Sequence, residues 1–593
     1  MTRPISTSRT TIRPFVRLGA ALSLGALLAG CVSIPDGGPV RVVEDGRPQQ
    51  VSPARIRPAG PADGASPRDI VNGFLQAMMS SPVRYDIARR FLTDGAGDDW
   101  RPEESVTVYS LSSVAEPEER SGAESVAVDI AREAVLTEQG RFTVPAAREQ
   151  HFDLTLVQED EQWRIADPPP GALITDAFFE DYYDAVNAYY FDSAGEQLVA
   201  APVHLPDDEG RPTDLVSSLL GGPDGVLGGQ ARSFLPSTWK LAAPVEVDDQ
   251  GVALVRFAGS DSGVSLGDRE RLSAQLVWSL RQISTVTGVE IRIGDRPIAL
   301  PNTPEVQRID AWDQFDPAAD RPTQLFAMRE GRLLVVGRSS TGPFAGAWGR
   351  DPVPADDFRV AVDAERIALV TGGRRVVSVS PLAGEPALVP ARQGTDLLRP
   401  SWDAAGRLWT VDRVRGGSRL TVGPADEPPR SIDLGPLAGG RVTGFELSPD
   451  GARFTATARV GARDALYVGA IRYDAEGGGV VGLVDIAEIP LPTETGVPLS
   501  AAWRSSTTIA LLARAQERVP QVAIVAVDGS SSVTGAVRVG LLPQDGARQV
   551  LSAGLLSSPI FVLDAEGMLW TQNGDGRWAE ASDEPVSLAA FAG

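Results

Sequence analysis

The only cysteine of the chain, Cys31, closes the run Leu28-Ala29-Gly30-Cys31. Its sulfur is a nucleophile, and the small residues before it let an extended chain enter a peptidase cleft. Arg3, Arg9, Arg13 and Arg17, with no acid among them, precede an apolar stretch from Leu18 to Leu28. A membrane-spanning helix needs about 20 apolar residues, so a run of roughly a dozen reads as a signal-peptide core. The ending resembles the bacterial lipobox. The chemistry this predicts is transfer of a diacylglyceryl group to Cys31 and cleavage between Gly30 and Cys31, leaving the protein lipid-anchored on the extracytoplasmic face of the cell membrane.

Other groupings that could do chemistry fall short. Gly263-Val264-Ser265-Leu266-Gly267 has the spacing of a nucleophile elbow, which needs a histidine base after the serine. The chain's two histidines, His151 and His204, both precede it, so Ser265 is expected ahead of a helix beginning near Asp268. His204, beside an apparent strand end, reads as a surface or capping residue. Gly477-Gly478-Gly479-Val480-Val481-Gly482 lacks the βαβ setting of a phosphate loop and reads as a hairpin connection. One cysteine and two histidines cannot supply a thiolate or imidazole metal site, and no calcium loop of the usual D-x-[DN]-x-[DN]-G form occurs. Asp98-Asp99 and Asp207-Asp208-Glu209 read as solvated loops. The 78 acidic residues leave a carboxylate pair for glycoside cleavage open, but nothing selects one pair. No catalytic, cofactor-binding or metal-binding residue is therefore expected, and the chain reads as a non-enzyme. A net charge of −23 argues against nucleic acid as a partner, because binding there depends on neutralising phosphates with Lys and Arg.

The elements fall into regions. Residues 1–30 are the signal peptide, and 31–65, rich in proline and poor in apolar periodicity, form a tether with Cys31 at its head. Residues 66–175 open on Ser66-Pro67-x-Asp69, a hydroxyl N-cap with proline at the first helical position and an acid near the positive helix end. Ile70, Val71, Phe74, Leu75 and Met78 follow at helical spacing, and Tyr85 to Leu92 predicts a second helix. Alternation at Val106, Val108, Tyr109, Val126, Val128, Phe152, Leu154 and Leu156 then predicts strands. Residues 176–305 mix strands (Leu198 to Val203, Val252 to Phe257, Val289 to Ile293) with helices at Leu215 to Leu220 and Asp268 to about Ser284. Residues 310–593 are short strand pairs with turn signals, centred near Trp402, Leu447, Trp503 and Ile560. A spacing of roughly 45 to 57 residues suits four-stranded blades, so a β-propeller of about six is expected, with a pair of β-sandwiches as the alternative.

Three resemblances sharpen this picture. Helices followed by a sheet ending in Gln162-Trp163-Arg164-Ile165 resemble the α+β nuclear-transport-factor-like domains. Tyr190-Phe191-Asp192, Leu219-Leu220-Gly221-Gly222-Pro223, Ala274 to Leu280 and Val289-Glu290-Ile291-Arg292-Ile293 are similar, in order, to the α+β GerMN domain. Ser448-Pro449-Asp450-Gly451 and Trp402-Asp403-x-x-Gly406 look like turns of WD-repeat propellers. With Cys31-Val32-Ser33-Ile34-Pro35 at the mature start, the whole order resembles the LpqB family of actinobacterial lipoproteins. That resemblance implies association with the extracytoplasmic domain of an MtrB-like sensor kinase, and modulation of the MtrA–MtrB system that governs cell-wall homeostasis and division. A module binding a wall glycan or peptide on the propeller face is the alternative; a wall hydrolase is a third reading.

Overall fold

The computed structural model describes residues 55–593, apart from 121–122, 224, 317, 320, 338–339, 475–477, 516–519, 543–545 and 573–576. The expected signal peptide, Cys31 and most of the expected tether lie outside the described residues. The chain adopts an α+β module, a second α+β module and an all-β propeller, the multidomain class expected.

In the first module the helix Pro67–Ala77 begins as read: the Ser66 side chain accepts from the Asp69 N–H at 3.2 Å. Its apolar face buries Ile70, Val71, Phe74 and Leu75 against a sheet built on the long strands Ser105–Val114, Ala123–Thr137 and Glu149–Glu159. Trp100 locks the two layers, its ring 5.3 Å from Phe74 and its indole N–H donating to the Pro169 carbonyl. The second expected helix is shorter than its apolar pattern suggested: only Asp86–Arg89 is helical, and Tyr85 carries no capping side-chain bond. The end of the expected tether lies on this module, with Ile56 bridging Ser81 and the Gly64 N–H donating to Gln162.

The middle module packs helix Leu266–Leu280 between two sheets, one holding Tyr183–Asp192 and Leu198–Pro206, the other Val252–Ala258 and Gly288–Ile293. Helix polarity follows strand need. Gln275 is fully buried because it accepts from the Phe234 N–H at 2.7 Å and donates to the Tyr189 carbonyl, while Ser279 accepts from the Tyr189 N–H at 3.0 Å. These side chains satisfy backbone groups that would otherwise be buried without partners.

Six four-stranded antiparallel sheets form the rest, which removes the sandwich alternative. Their innermost strands are Leu588–Phe591 (blade 1), Asp357–Val360 (blade 2), Ser401–Trp402 (blade 3), Arg441–Leu447 (blade 4), Val497–Trp503 (blade 5) and Ala547–Leu551 (blade 6). Blade 1 is composite: the C-terminal strand Leu588–Phe591 pairs with Leu325–Arg329 in antiparallel register, Leu325 opposite Phe591. This closes the ring with backbone hydrogen bonds between the two ends of the propeller, where open edges would invite pairing with other chains. Blades 3 and 6 share a device. Asp403 and Asp564 each cap their turn through Oδ1 and accept an indole N–H through Oδ2, from Trp409 at 2.9 Å and Trp570 at 2.8 Å.

Both α+β modules pack on the end of the propeller where the innermost strands finish. Ala452 joins the hydrophobic core of the middle module, Arg453 donates to the Ala200 carbonyl at 2.8 Å, and Val533 packs with Phe178 and Phe179. Here His204 departs from expectation. It is 3% exposed, its Nε2 lies 2.9 Å from Asp528 Oδ2 of blade 5, and its ring sits 5.5 Å from Phe142 and 5.3 Å from Phe179. A histidine placed at a strand end by sequence is thus buried where three modules meet.

Candidate recognition site at the propeller mouth

At the opposite end, where the innermost strands begin, all six blades contribute to a cavity of about 330 Å³. Its walls include Asp356 and Asp357, Arg399, Thr443 to Glu446, Leu499 to Ala501, Arg548 and Gln549, and Ser587. That volume is at the lower end of small-ligand sites, roughly 300 to 1,000 Å³.

The charges are organised around Asp357. Arg399 Nε donates to one of its oxygens at 2.7 Å and Arg374 Nη2 to the other at 3.2 Å. Burial alone would push the Asp357 carboxyl up, but the two guanidiniums win and hold it below its ordinary value. Asp356 accepts from the Arg374 backbone N–H at 2.8 Å. Deeper in the channel Glu446 is paired with Arg359, which also donates to the Phe591 carbonyl. Arg321, from the segment linking the middle module to the propeller, lies beside Gly593, and burial with the nearby Arg359 charge lowers its pKa to about 10.

Backbone irregularity shapes this end. The innermost strands of blades 4, 5 and 6 each carry a register shift, between Val442 and Gly444, Pro498 and Ser500, and Ala547 and Gln549. The residue skipped in each, Thr443, Leu499 and Arg548, lines the cavity. A bulge adds a residue to one strand and re-aims its side chain, so three neighbouring blades turn one extra side chain each toward the opening.

The residues singled out by sequence lie elsewhere. Cys31 and Gly30 fall outside the described residues. Ser265 caps helix Leu266–Leu280 by accepting from the Asp268 N–H at 3.1 Å. Neither histidine serves it as a base: His204 is held by Asp528, and exposed His151 contacts Asp129 and Asp153. Gly478 and Gly479 lead into Val480–Glu488, which pairs antiparallel with Arg463–Tyr473 as a hairpin expects; Gly477 lies outside the described residues. Asp207 pairs with Arg211, and Asp208 accepts from the Val83 N–H, so this acidic run is tied to neighbouring elements as well as solvated. No group of acidic, histidine or cysteine side chains suited to a metal occurs among the described residues. The mouth residues were not found by sequence reasoning. They are scattered from Asp356 to Ser587, and only the blade period offered a route to them.

A multimodular class of protein, with a GerMN-type module and a six-bladed propeller, is what this architecture defines. Residues 60–180 match the family described as "Lipoprotein LpqB, N-terminal domain", 331–587 "Lipoprotein LpqB beta-propeller domain" and 187–299 "Sporulation and spore germination". Lipoprotein LpqB of Cutibacterium acnes is 28% identical, covering 98% of this chain and 100% of its own. That of Mycobacterium tuberculosis is 27% identical over 74% of this chain and 77% of its own. The first GerMN domain of GerM from Bacillus subtilis aligns at 21% identity and a TM-score of 0.19, covering 21% of this chain and 97% of that one. The chain belongs to the LpqB lipoprotein family. No helix among the described residues is long and apolar enough to cross a membrane.

Proposed function

We propose that this lipoprotein is a non-enzymatic signalling accessory, held by lipid on Cys31 to the extracytoplasmic face of the cell membrane. There it binds the outer domain of an MtrB-like sensor kinase and modulates the MtrA–MtrB system controlling wall homeostasis and division. The observation that supports this reading best is the polarity of the propeller. Its inner end is occupied by the two α+β modules, and its other end presents polar side chains from six blades around an opening. Confinement to the membrane plane raises the effective concentration of partner and kinase. Modulation then requires that the lipoprotein bind one signalling state of the kinase more tightly than the other.

The test is a titration of the mature chain against the kinase outer domain. Saturable binding is expected; none at high micromolar concentration would defeat the reading. Cys31→Ala is expected to leave this binding intact in solution while removing the protein from the membrane fraction or stalling its processing. Two acyl chains anchor stably where one is marginal, so retention of a mature-sized variant in the membrane would overturn the anchor. The mouth cavity also favours a second reading, a module for wall glycan or peptide, which predicts co-sedimentation with purified cell wall.

A further inference from the structure

The carboxylates of the propeller mouth are already engaged, and one guanidinium is not. Asp357 is held between Arg399 and Arg374, Asp356 accepts from the Arg374 N–H, and Glu446 is paired with Arg359. Arg548 forms no ion pair among the described residues, and its one hydrogen bond there runs from Nη2 to the Ser587 carbonyl at 2.7 Å. Nearby Asp564 acts on Arg548 through its charge, while its oxygens accept from the Trp570 indole and from the Met568 and Glu566 N–H groups. Burial lowers the Arg548 pKa, with the Asp564 and Asp357 charges opposing the shift and Arg399 adding to it. Arg374, Arg399 and Arg548 thus gather at one opening in a chain whose net charge is −23.

Arg548 is also the extra residue of the blade 6 bulge. Without the bulge, alternation would place neighbouring side chains on opposite faces of the strand; with it, Arg548 and Gln549 both line the cavity. Gln549 has its oxygen on Arg399 Nη2 at 3.2 Å, which orients its amide N–H groups away from that cation. The Ser500 and Thr443 hydroxyls belong to the two other bulged strands.

We infer that the propeller mouth is a binding site for an organic carboxylate, with the acid group received by the free edge of the Arg548 guanidinium beside Gln549. The planar fork of arginine matches a carboxylate with two parallel hydrogen bonds. The acid could be the terminal carboxylate of a short peptide or that of a sugar acid, because both present the same group. The inference goes beyond the kinase reading and holds whatever protein the lipoprotein binds.

The experiment is titration of the full chain in detergent with acetyl-Ala-Ala, its C-terminal amide, glucuronate and inorganic phosphate. One principal ion pair supports a Kd of about 1 mM. Saturable binding of acetyl-Ala-Ala or glucuronate is expected; the stronger of the two says whether the mouth is shaped for a peptide end or a sugar. The amide should bind at least about tenfold more weakly, and Arg548→Gln should weaken acid binding about 10- to 100-fold. Arg548→Lys keeps the charge but loses the fork, so it should fall between. Equal binding of acid and amide, phosphate binding as tight as carboxylate, unchanged affinity in Arg548→Gln, or no saturable binding of either acid by about 10 mM would each overturn the assignment.

Discussion

Arg453→Met should destabilise the protein by about 3–5 kcal/mol, as expected when one partner of a buried ion pair is removed and the other is left charged. Arg453 and Asp450 have side chains 4% and 0% exposed, with Nη1 3.5 Å from Oδ2. Burial lowers the Arg453 pKa, yet the guanidinium is held by more than Asp450: Nη2 donates to the Ala200 carbonyl and Nη1 to that of Ser506. The substitution strands all three acceptors. Asp450 would keep only the Ser448 hydroxyl and the Ala452 N–H. Because Ala200 lies on strand Leu198–Pro206 of the middle module, the loss should loosen its docking before either part unfolds. Urea unfolding with hydrogen exchange of that strand would show this. A change under about 1 kcal/mol, or no added exchange near Ala200, would contradict the buried-charge account. The double variant Arg453→Met, Asp450→Asn should recover part of the loss, since it removes the stranded charge as well.

The second prediction concerns His204 and Asp528. Asp528→Ala should cost about 1.5–3 kcal/mol near neutral pH, the usual worth of a hydrogen bond to a charged group, because buried His204 keeps no replacement for it. Burial by itself would push the Asp528 carboxyl up; the His204 hydrogen bond and charge, with the Ser530 N–H, hold it below its ordinary value. A depressed carboxyl stabilises the fold fully above the unfolded-state pKa, about 3.9, and the contribution is lost as pH falls through the folded-state value. The Asp528 carboxylate's share of the difference between native protein and Asp528→Ala should therefore be full by about pH 5 and shrink below about 4. A difference of the same size at pH 3 and pH 7 would rule out the carboxylate as its source. Protease sensitivity at the junction of the three modules should follow the same curve.

Local signals were read well where a few neighbouring residues decide the outcome. Ser66 and Ser265 cap their helices through the N–H three residues on, and the contest there is settled within one turn. The Tyr85 to Leu92 pattern was misleading for a related reason. Apolar spacing marks a buried face, but that face is met by only four helical residues and a turn. Blade turns were visible as Asp-x-x-Gly and Ser-Pro-Asp-Gly. The use of Asp403 and Asp564 as acceptors for Trp409 and Trp570 was not, since it needs the turn and the next strand together.

By itself the sequence determined the cysteine on which the anchor reading rests, the exclusion of thiolate and imidazole metal chemistry, the order of two α+β modules and a propeller, and the family. Each depends on residue type or short-range periodicity. Tertiary structure alone decided that Leu588–Phe591 completes blade 1, that His204 is enclosed by three modules, and that Arg548 shares a cavity with Asp357. These pairings join positions about two hundred residues apart or more, from Asp357 to Arg548 and from Leu325 to Phe591. They follow from closing a ring, which brings the starts of six innermost strands to one axis whatever their separation along the chain.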